Sequence, residues 1–188
     1  MATFDNFSEH VRLCALRIAE SGAPALAGLY DLTSQRLVRY ATTITSNQHD
    51  AEDAVSAALV RVSGDPNLLY RSARPWPYLL HMVRNESLVI LRRRKRWSLI
   101  SDLSDLLTRR SVDQIEVEEQ HRAVWVALRS LPTEQSEVVV LKIWEAMTFS
   151  QIAEILEISP STVASRYRYG LEKLAAILHT TNAEVIYE

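Results

Sequence analysis

Apolar residues recur at helical spacing through most of the chain, most clearly in TFSQIAEILEISPSTVASRYRYGLEKLAAIL, from Thr148 to Leu178. Phe149, Ile152, Ala153 and Leu156 make one stripe, which predicts a short helix. Thr148 and Gln151 have the spacing of a capping box, in which hydroxyl and amide satisfy the helix start reciprocally. Ser159 then suits an N-cap, and Pro160 suits the first helical position, where its missing N–H costs nothing. On the helix that follows, Val163, Tyr167, Gly170, Leu171, Leu174 and Leu178 share one side. Ser161, Ala164, Ser165, Arg168 and Glu172 lie opposite, with Thr162 and Arg166 on the flanks. Gly170 on the inner side predicts a close helix–helix approach, which offsets its poor helix propensity. Small hydroxyls and arginines near the start of a long helix fit a major groove. There the amide end meets phosphate, and Arg meets guanine or phosphate. The pattern is that of a helix-turn-helix whose second helix is the reader. Taken alone, the stretch also fits an ordinary helical hairpin with a solvated outer face.

Upstream, residues 1–22 predict a short helix with a loose face of Phe7, Val11, Leu13, Cys14 and Ile18, and the chain breaks at Ser21–Pro24. A second helix covers Pro24 to Thr43, with Leu26, Leu29, Tyr30, Leu37 and Tyr40 near one face. A third opens at His49 and runs to about Val62. Its early carboxylates Asp50, Glu52 and Asp53 are favoured by the helix dipole. After the loop at 63–67 comes WPYLLHMVRNESLVILRRRKRW, with Tyr78, Met82, Val83, Leu88, Val89 and Leu91 as the apolar positions and Arg92–Arg96 closing it. Residues 98–118 read as a connector, with a hint of a short helix at Ile100, Leu103, Leu106 and Leu107. Helical spacing returns from Glu119 to Ser130 and again from Glu134 to Trp144. The second of these contains Val138–Leu141, which alone would pass for a buried strand; a cap at Thr133 decides for helix. Thr180 to Glu188 reads as a loose tail. With four glycines and no Asn-Gly or Asp-Gly turn, the expected class is all-α. The expected architecture is two small helical domains joined by a linker, with the helix-turn-helix in the C-terminal one.

Composition narrows the chemistry. The formal net charge is −2, but residues 71–110 hold 10 Lys/Arg against 3 Asp/Glu. This cationic segment contains Arg84, Asn85 and the run Arg92, Arg93, Arg94, Lys95, Arg96, flanked by Trp76, Tyr78 and Trp97. Cations beside stacking rings suit single-stranded or opened duplex DNA. A solvated charged face is the alternative; in either case at least one of the two tryptophans is expected in the core. Asp50, Glu52 and Asp53 offer either a dipole-favoured helix start or an acidic docking edge. No nucleophile, metal ligand or phosphate loop accompanies them, so no catalytic residue and no enzyme activity are expected. His10 and Cys14 lie one turn apart, but the other histidines lack ligand spacing, so no metal and no cofactor are expected. No apolar run reaches membrane-spanning length, and the N-terminus lacks a basic-then-apolar signal pattern. The single cysteine suits a reducing compartment, and the expected location is cytoplasmic.

In this order the pieces resemble a bacterial sigma factor of the extracytoplasmic-function (ECF) type, within the sigma-70 family. LPTEQSEVVVLKIWEAMTFSQIAEILEISPSTVASRYRYGLEKL resembles the family's C-terminal domain, which binds the −35 promoter element. DAEDAVSAALVRV resembles the helix that docks on the polymerase clamp, and RNESLVILRRRKR the segment that reads and opens the −10 element. Two stretches depart from the pattern. Ser56, Ala57, Ala58 and Leu59 stand where a glutamine and an aromatic are usual, and Trp76 lies two positions early. The resemblance implies a promoter-specificity subunit whose partners are core RNA polymerase and promoter DNA, with an anti-sigma factor as a further candidate. It implies −35 contact by Ser161, Thr162, Ser165, Arg166 and Arg168, and −10 contact by Arg84, Asn85 and Arg92 to Arg96. Asp50, Glu52 and Asp53 would face polymerase. The implied organisation is an N-terminal extension (1–24), a region 2-like domain (25–97), a linker (98–118), a region 4-like domain (119–179) and a tail (180–188). A stand-alone helix-turn-helix regulator is the alternative; it would bind duplex tightly without polymerase.

Overall fold

The computed structural model describes residues 2–98 and 119–185. Contacts divide the chain into two compact units, Met1–Ser111 and Val112–Glu188. Among the described residues all regular structure is helical: α1 (Ala2–Ser21), α2 (Leu26–Thr45), α3 (Gln48–Gly64) and α4 (Pro75–Ser98) in the first unit. The second holds α5 (Glu119–Arg129), α6 (Thr133–Ile143), α7 (Phe149–Leu156) and α8 (Pro160–Val185). Residues 99–118, including the short helix read at Ile100–Leu107, lie outside the described residues.

In the first unit α2 is the central element, packed against α1, α3 and α4. Leu29, Leu37, Tyr40, Ala41 and Ile44 line its buried side. Thr33 and Thr45 are buried there too, because each hydroxyl donates to the carbonyl one turn back, at 2.6 Å to Leu29 O and 3.1 Å to Ala41 O. α2 ends at Ser46 in the left-handed conformation, and Asn47 Oδ1 then accepts from the Asp50 N–H at 3.0 Å, starting α3. The inner side of α3 carries Ala51, Ala54 and Ala58, small enough to let its backbone approach its neighbours closely.

Two expectations change here. The N-terminal helix is present but longer and better packed than expected: α1 has 20 residues and buries Val11 and Ile18 of the expected face, with Ala15. It packs on α2 and α4, with Phe7 edge-on to Trp76 at 5.0 Å and the Arg36 guanidinium 3.8 Å above Phe7. Leu13, expected on the apolar face, points outward instead. The buried side of α4 is also rotated from the expected one. Trp76, Leu79, Leu80, Met82 and Val83 are buried, whereas Tyr78, Leu88, Val89 and Leu91 are only half-buried. Trp76 is therefore core and is not available to stack on a base. The side chain of Trp97 lies outside the described residues.

In the second unit Val138–Leu141 is fully buried within α6, as helix rather than strand. The expected cap at Thr133 is not formed. Pro132 occupies the N-cap position without a side-chain bond, and Thr133 is the first helical residue. Trp125 of α5 lies 5.0 Å from Trp144. Between α6 and α7 the chain turns through Ala146 at φ 45, and Lys142 Nζ donates to Met147 O at 3.0 Å to secure the turn. α8 continues to Val185, into the stretch read as a tail.

Candidate nucleic-acid interface

The sequence sets up the α7–α8 pair locally. The Thr148 hydroxyl accepts from the Gln151 N–H, and the Gln151 side chain accepts from the Thr148 N–H at 2.8 Å, completing the capping box. Ile152, Ala153, Ile155 and Leu156 bury the inner face of α7. Glu157, in the left-handed conformation, ends it, and the Ile158 N–H reaches back to Ala153 O at 3.1 Å. Ser159 Oγ then accepts from the Thr162 N–H at 3.1 Å and lies 2.8 Å from the hydroxyls of both Ser161 and Thr162. α8 is seated on α6 through Gly170: a Cβ there would stand 2.9 Å from Val139 Cγ2. The predicted close approach is real, and it fixes which side of α8 faces outward. Val163 and Leu174 are buried, but Leu171, expected inward, is 37% exposed.

The outer side of α8 presents Ser161, Thr162, Ser165 and Arg168, all exposed. The Arg168 guanidinium lies 4.9 Å from the Tyr169 ring. Arg166 stands apart from this group. It is half-buried, and its Nη2 lies 2.7 Å from Glu134 Oε2 at the start of α6. The outer face thus offers hydroxyls, an amide end and one exposed guanidinium, the groups that meet base edges and phosphates in a groove.

The first unit offers a different surface. Arg92, Arg93, Arg94, Lys95 and Arg96 are all exposed on the last turns of α4. Arg92 Nε donates to Leu88 O at 3.1 Å, within its own helix. Arg84 and Asn85 lie further back and are half-buried; Asn85 Nδ2 is 2.9 Å from His81 Nε2. Of the three acidic residues on α3, Glu52 and Asp53 are exposed, and Glu52 accepts from Gln48 Nε2 at 2.9 Å. Asp50 is turned elsewhere: its Oδ2 accepts from Arg94 Nη1 at 2.6 Å, so the helix expected to face polymerase is tied to the helix expected to face DNA. A second tie, Arg61 to Glu86 at 3.1 Å, joins the same two helices. Neither Glu134 nor the Asp50–Arg94 pairing was legible in the sequence, because nothing local links positions so far apart.

On α1, His10 Nδ1 is hydrogen bonded to Asn6 O at 2.7 Å. Burial pushes the Cys14 thiol pKa up, against a smaller lowering by Arg17, so Cys14 is no activated thiolate. Among the described residues no group of three His, Cys, Asp or Glu side chains comes together, and no helix is long and apolar enough to cross a membrane.

Comparison with known proteins covers both units. The family model for sigma-70 region 2 matches residues 29–97, and that for sigma-70 region 4 matches residues 121–174. The ECF RNA polymerase sigma factor SigL of Mycobacterium tuberculosis (strain ATCC 25618 / H37Rv) is 28% identical over 163 residues, covering 85% of this chain and 92% of the relative. SigK of Mycolicibacterium vanbaalenii is 26% identical over 173 residues, covering 86% of each. The fold is that of the sigma factor RpoE of Bartonella quintana, solved with the anti-sigma factor NepR (TM-score 0.66, 22% identity, 77% of this chain and 90% of that one). It is also that of CnrH, solved with the cytosolic domain of CnrY (TM-score 0.59, 22% identity, 90% and 97% covered). With a region 2 match on the first unit, a region 4 match on the second and ECF relatives spanning both, the chain belongs to the sigma-70 family as an ECF-type RNA polymerase sigma factor, a subunit that directs core polymerase to promoters.

Proposed function

We propose that the two units divide promoter recognition by chemistry: the second reads duplex at the −35 element, and the first engages the −10 element as it opens. The observation that carries this is an exposed end on the last described helix of each unit. On α8, Ser161, Thr162, Ser165 and Arg168 form a mixed hydroxyl and guanidinium face suited to base edges. On α4, Arg92 to Arg96 form an exposed cationic collar around the helix end, suited to backbone, with Arg84 and Asn85 behind it. Arg166, held by Glu134, supports the −35 face from its flank. Glu52 and Asp53 form the edge offered to core polymerase.

The functional modules on this reading are residues 25–97 and 119–179, joined by a linker at 98–118 and flanked by an extension at 1–24 and a tail at 180–188. The protein works in the cytoplasm, holds no catalytic centre of its own and takes an anti-sigma factor as its negative regulator. Run-off transcription with core polymerase tests the division of labour. Full product is expected only from templates carrying both elements. Scrambling the −35 element should abolish the effect of Arg168→Ala, and scrambling the −10 element should abolish that of replacing Arg92, Arg93 and Arg96 by Gln. Product that is insensitive to either element would overturn the assignment.

A further inference from the structure

Asp50 is one of three acidic residues that the sequence assigns to polymerase, yet its carboxylate is 21% exposed and bonded to Arg94 at 2.6 Å. Arg94 itself is 53% exposed and belongs to the cationic end of α4. We infer that Asp50 is a specificity-determining residue on the DNA side: it occupies Arg94 and withholds one guanidinium from indiscriminate phosphate binding. The inference rests on the reading of α4 as a DNA-facing surface and goes beyond it.

The physical argument is one of competition. Affinity for DNA that does not depend on sequence grows with the number of phosphates a protein neutralises, and each released counterion steepens the salt dependence. A run of five adjacent cations is therefore a surface that binds any DNA. Asp50 lies in the first turn of α3, where the helix dipole favours a negative side chain, and the Asn47 cap fixes that turn. Its bond to Arg94 is short and charge-assisted, but it is half in solvent, where such pairs are weak. A weak internal anion is what selectivity needs. It is displaced when a correctly placed promoter phosphate presents itself against the rest of the interface, and it prevails against a phosphate that arrives alone. Asp50 thereby lowers background binding while leaving Arg94 available at the right site.

The test uses the full chain assembled with core polymerase, titrated over a salt series onto a promoter fragment and onto a scrambled fragment of equal length. Asp50→Asn keeps the shape and removes the anion. The expected result is core affinity within about twofold of wild type. On scrambled DNA, affinity should rise about three- to tenfold, and the slope of log K against log salt should steepen by about 0.7 to 0.9, one phosphate's worth. Discrimination between the fragments falls accordingly. In an Arg94→Ala background the same Asp50→Asn change should leave the slope where it was, and Asp50→Glu should restore wild-type discrimination. A stability effect alone, followed by thermal melting, would move neither the slope nor its dependence on Arg94. Loss of core affinity in Asp50→Asn would return the residue to the polymerase edge and overturn the inference, as would an unchanged slope. The parent reading is scored separately by a variant in which Arg92, Arg93 and Arg96 are replaced by Gln. If that variant also leaves the slope unchanged, α4 does not face DNA. If it flattens the slope while Asp50→Asn does nothing, only the inference about Asp50 fails.

Discussion

Each unit of this sigma factor contains one arginine of its candidate DNA surface bonded to a carboxylate on a neighbouring helix, at nearly the same distance and with the exposures reversed. In the first, Arg94 meets Asp50 at 2.6 Å, with the arginine 53% and the carboxylate 21% exposed. In the second, Arg166 meets Glu134 at 2.7 Å, with the arginine 24% and the carboxylate 68% exposed. A guanidinium that stays in solvent can exchange its carboxylate for a phosphate. One that is packed against its own unit, with the carboxylate outermost, works as a brace between α8 and α6. The first surface is consequently built from available charge, the second from shape. Charge without direction suits a segment that must hold a backbone whose path changes as strands separate, whereas a duplex read by its edges requires a rigidly seated helix.

That contrast is broken most forcefully by removing charge from the first surface and packing from the second. Replacing Arg92, Arg93 and Arg96 with Gln should weaken holoenzyme binding to an opened promoter by about a hundredfold at moderate salt, from three lost phosphate contacts. The melting of the chain should hardly move, because all three side chains are exposed. Filter binding over a salt series, alongside calorimetry, measures both. In the second unit Gly170→Leu forces a side chain into Val139 and should cost about 1–3 kcal/mol of that unit's stability. Its signature is faster hydrogen exchange through α6–α8, unchanged exchange through α2–α4, and loss of −35 dependence in transcription. Thr148→Ala removes one half of the capping box and should cost about 1 kcal/mol, read by the same exchange experiment in α7. If the α4 variant melted early, or the Gly170 variant kept its full −35 response, the distinction between charge and shape would collapse.

The sequence foretold the parts of this contrast that are local. Thr148 with Gln151, Ser159 with Pro160, and Gly170 on the inner side of α8 each carry their signal within one or two turns, and each is found where expected. Apolar patterning was less decisive where a helix has neighbours on several sides. On α4 the pattern predicts Met82 and Val83 as core, which they are, but misses Trp76, held edge-on to Phe7 of α1, a helix whose weak periodicity suggests little packing. The angular position of Leu171 predicts core, yet it is partly exposed although Gly170 before it and Leu174 after it are buried. Arg94 and Asp50 are separated by 44 positions, and no periodicity connects them. Charge patterns name the surface; only the tertiary contact shows which charges are already committed.

The smallest effect is also the sharpest discriminator. Glu134→Gln removes the exposed member of the second pair, so the change in stability should be small, about 0–0.5 kcal/mol after solvent screening, with a slight further loss from the helix dipole at the start of α6. If Arg166 is a brace, freeing it should loosen the seating of α8. Discrimination at the −35 element would then fall two- to threefold, to about that extent on the scale of a modest loss of preorganisation, while the salt slope stays unchanged. If Arg166 instead becomes a phosphate ligand once released, the slope on duplex should steepen by about 0.9, as expected for Asp50→Asn in the first unit. Measuring both variants on the same fragment and over the same salt series decides the matter. Unequal slopes keep the two arginines in different roles, and equal slopes make them interchangeable despite their reversed exposure.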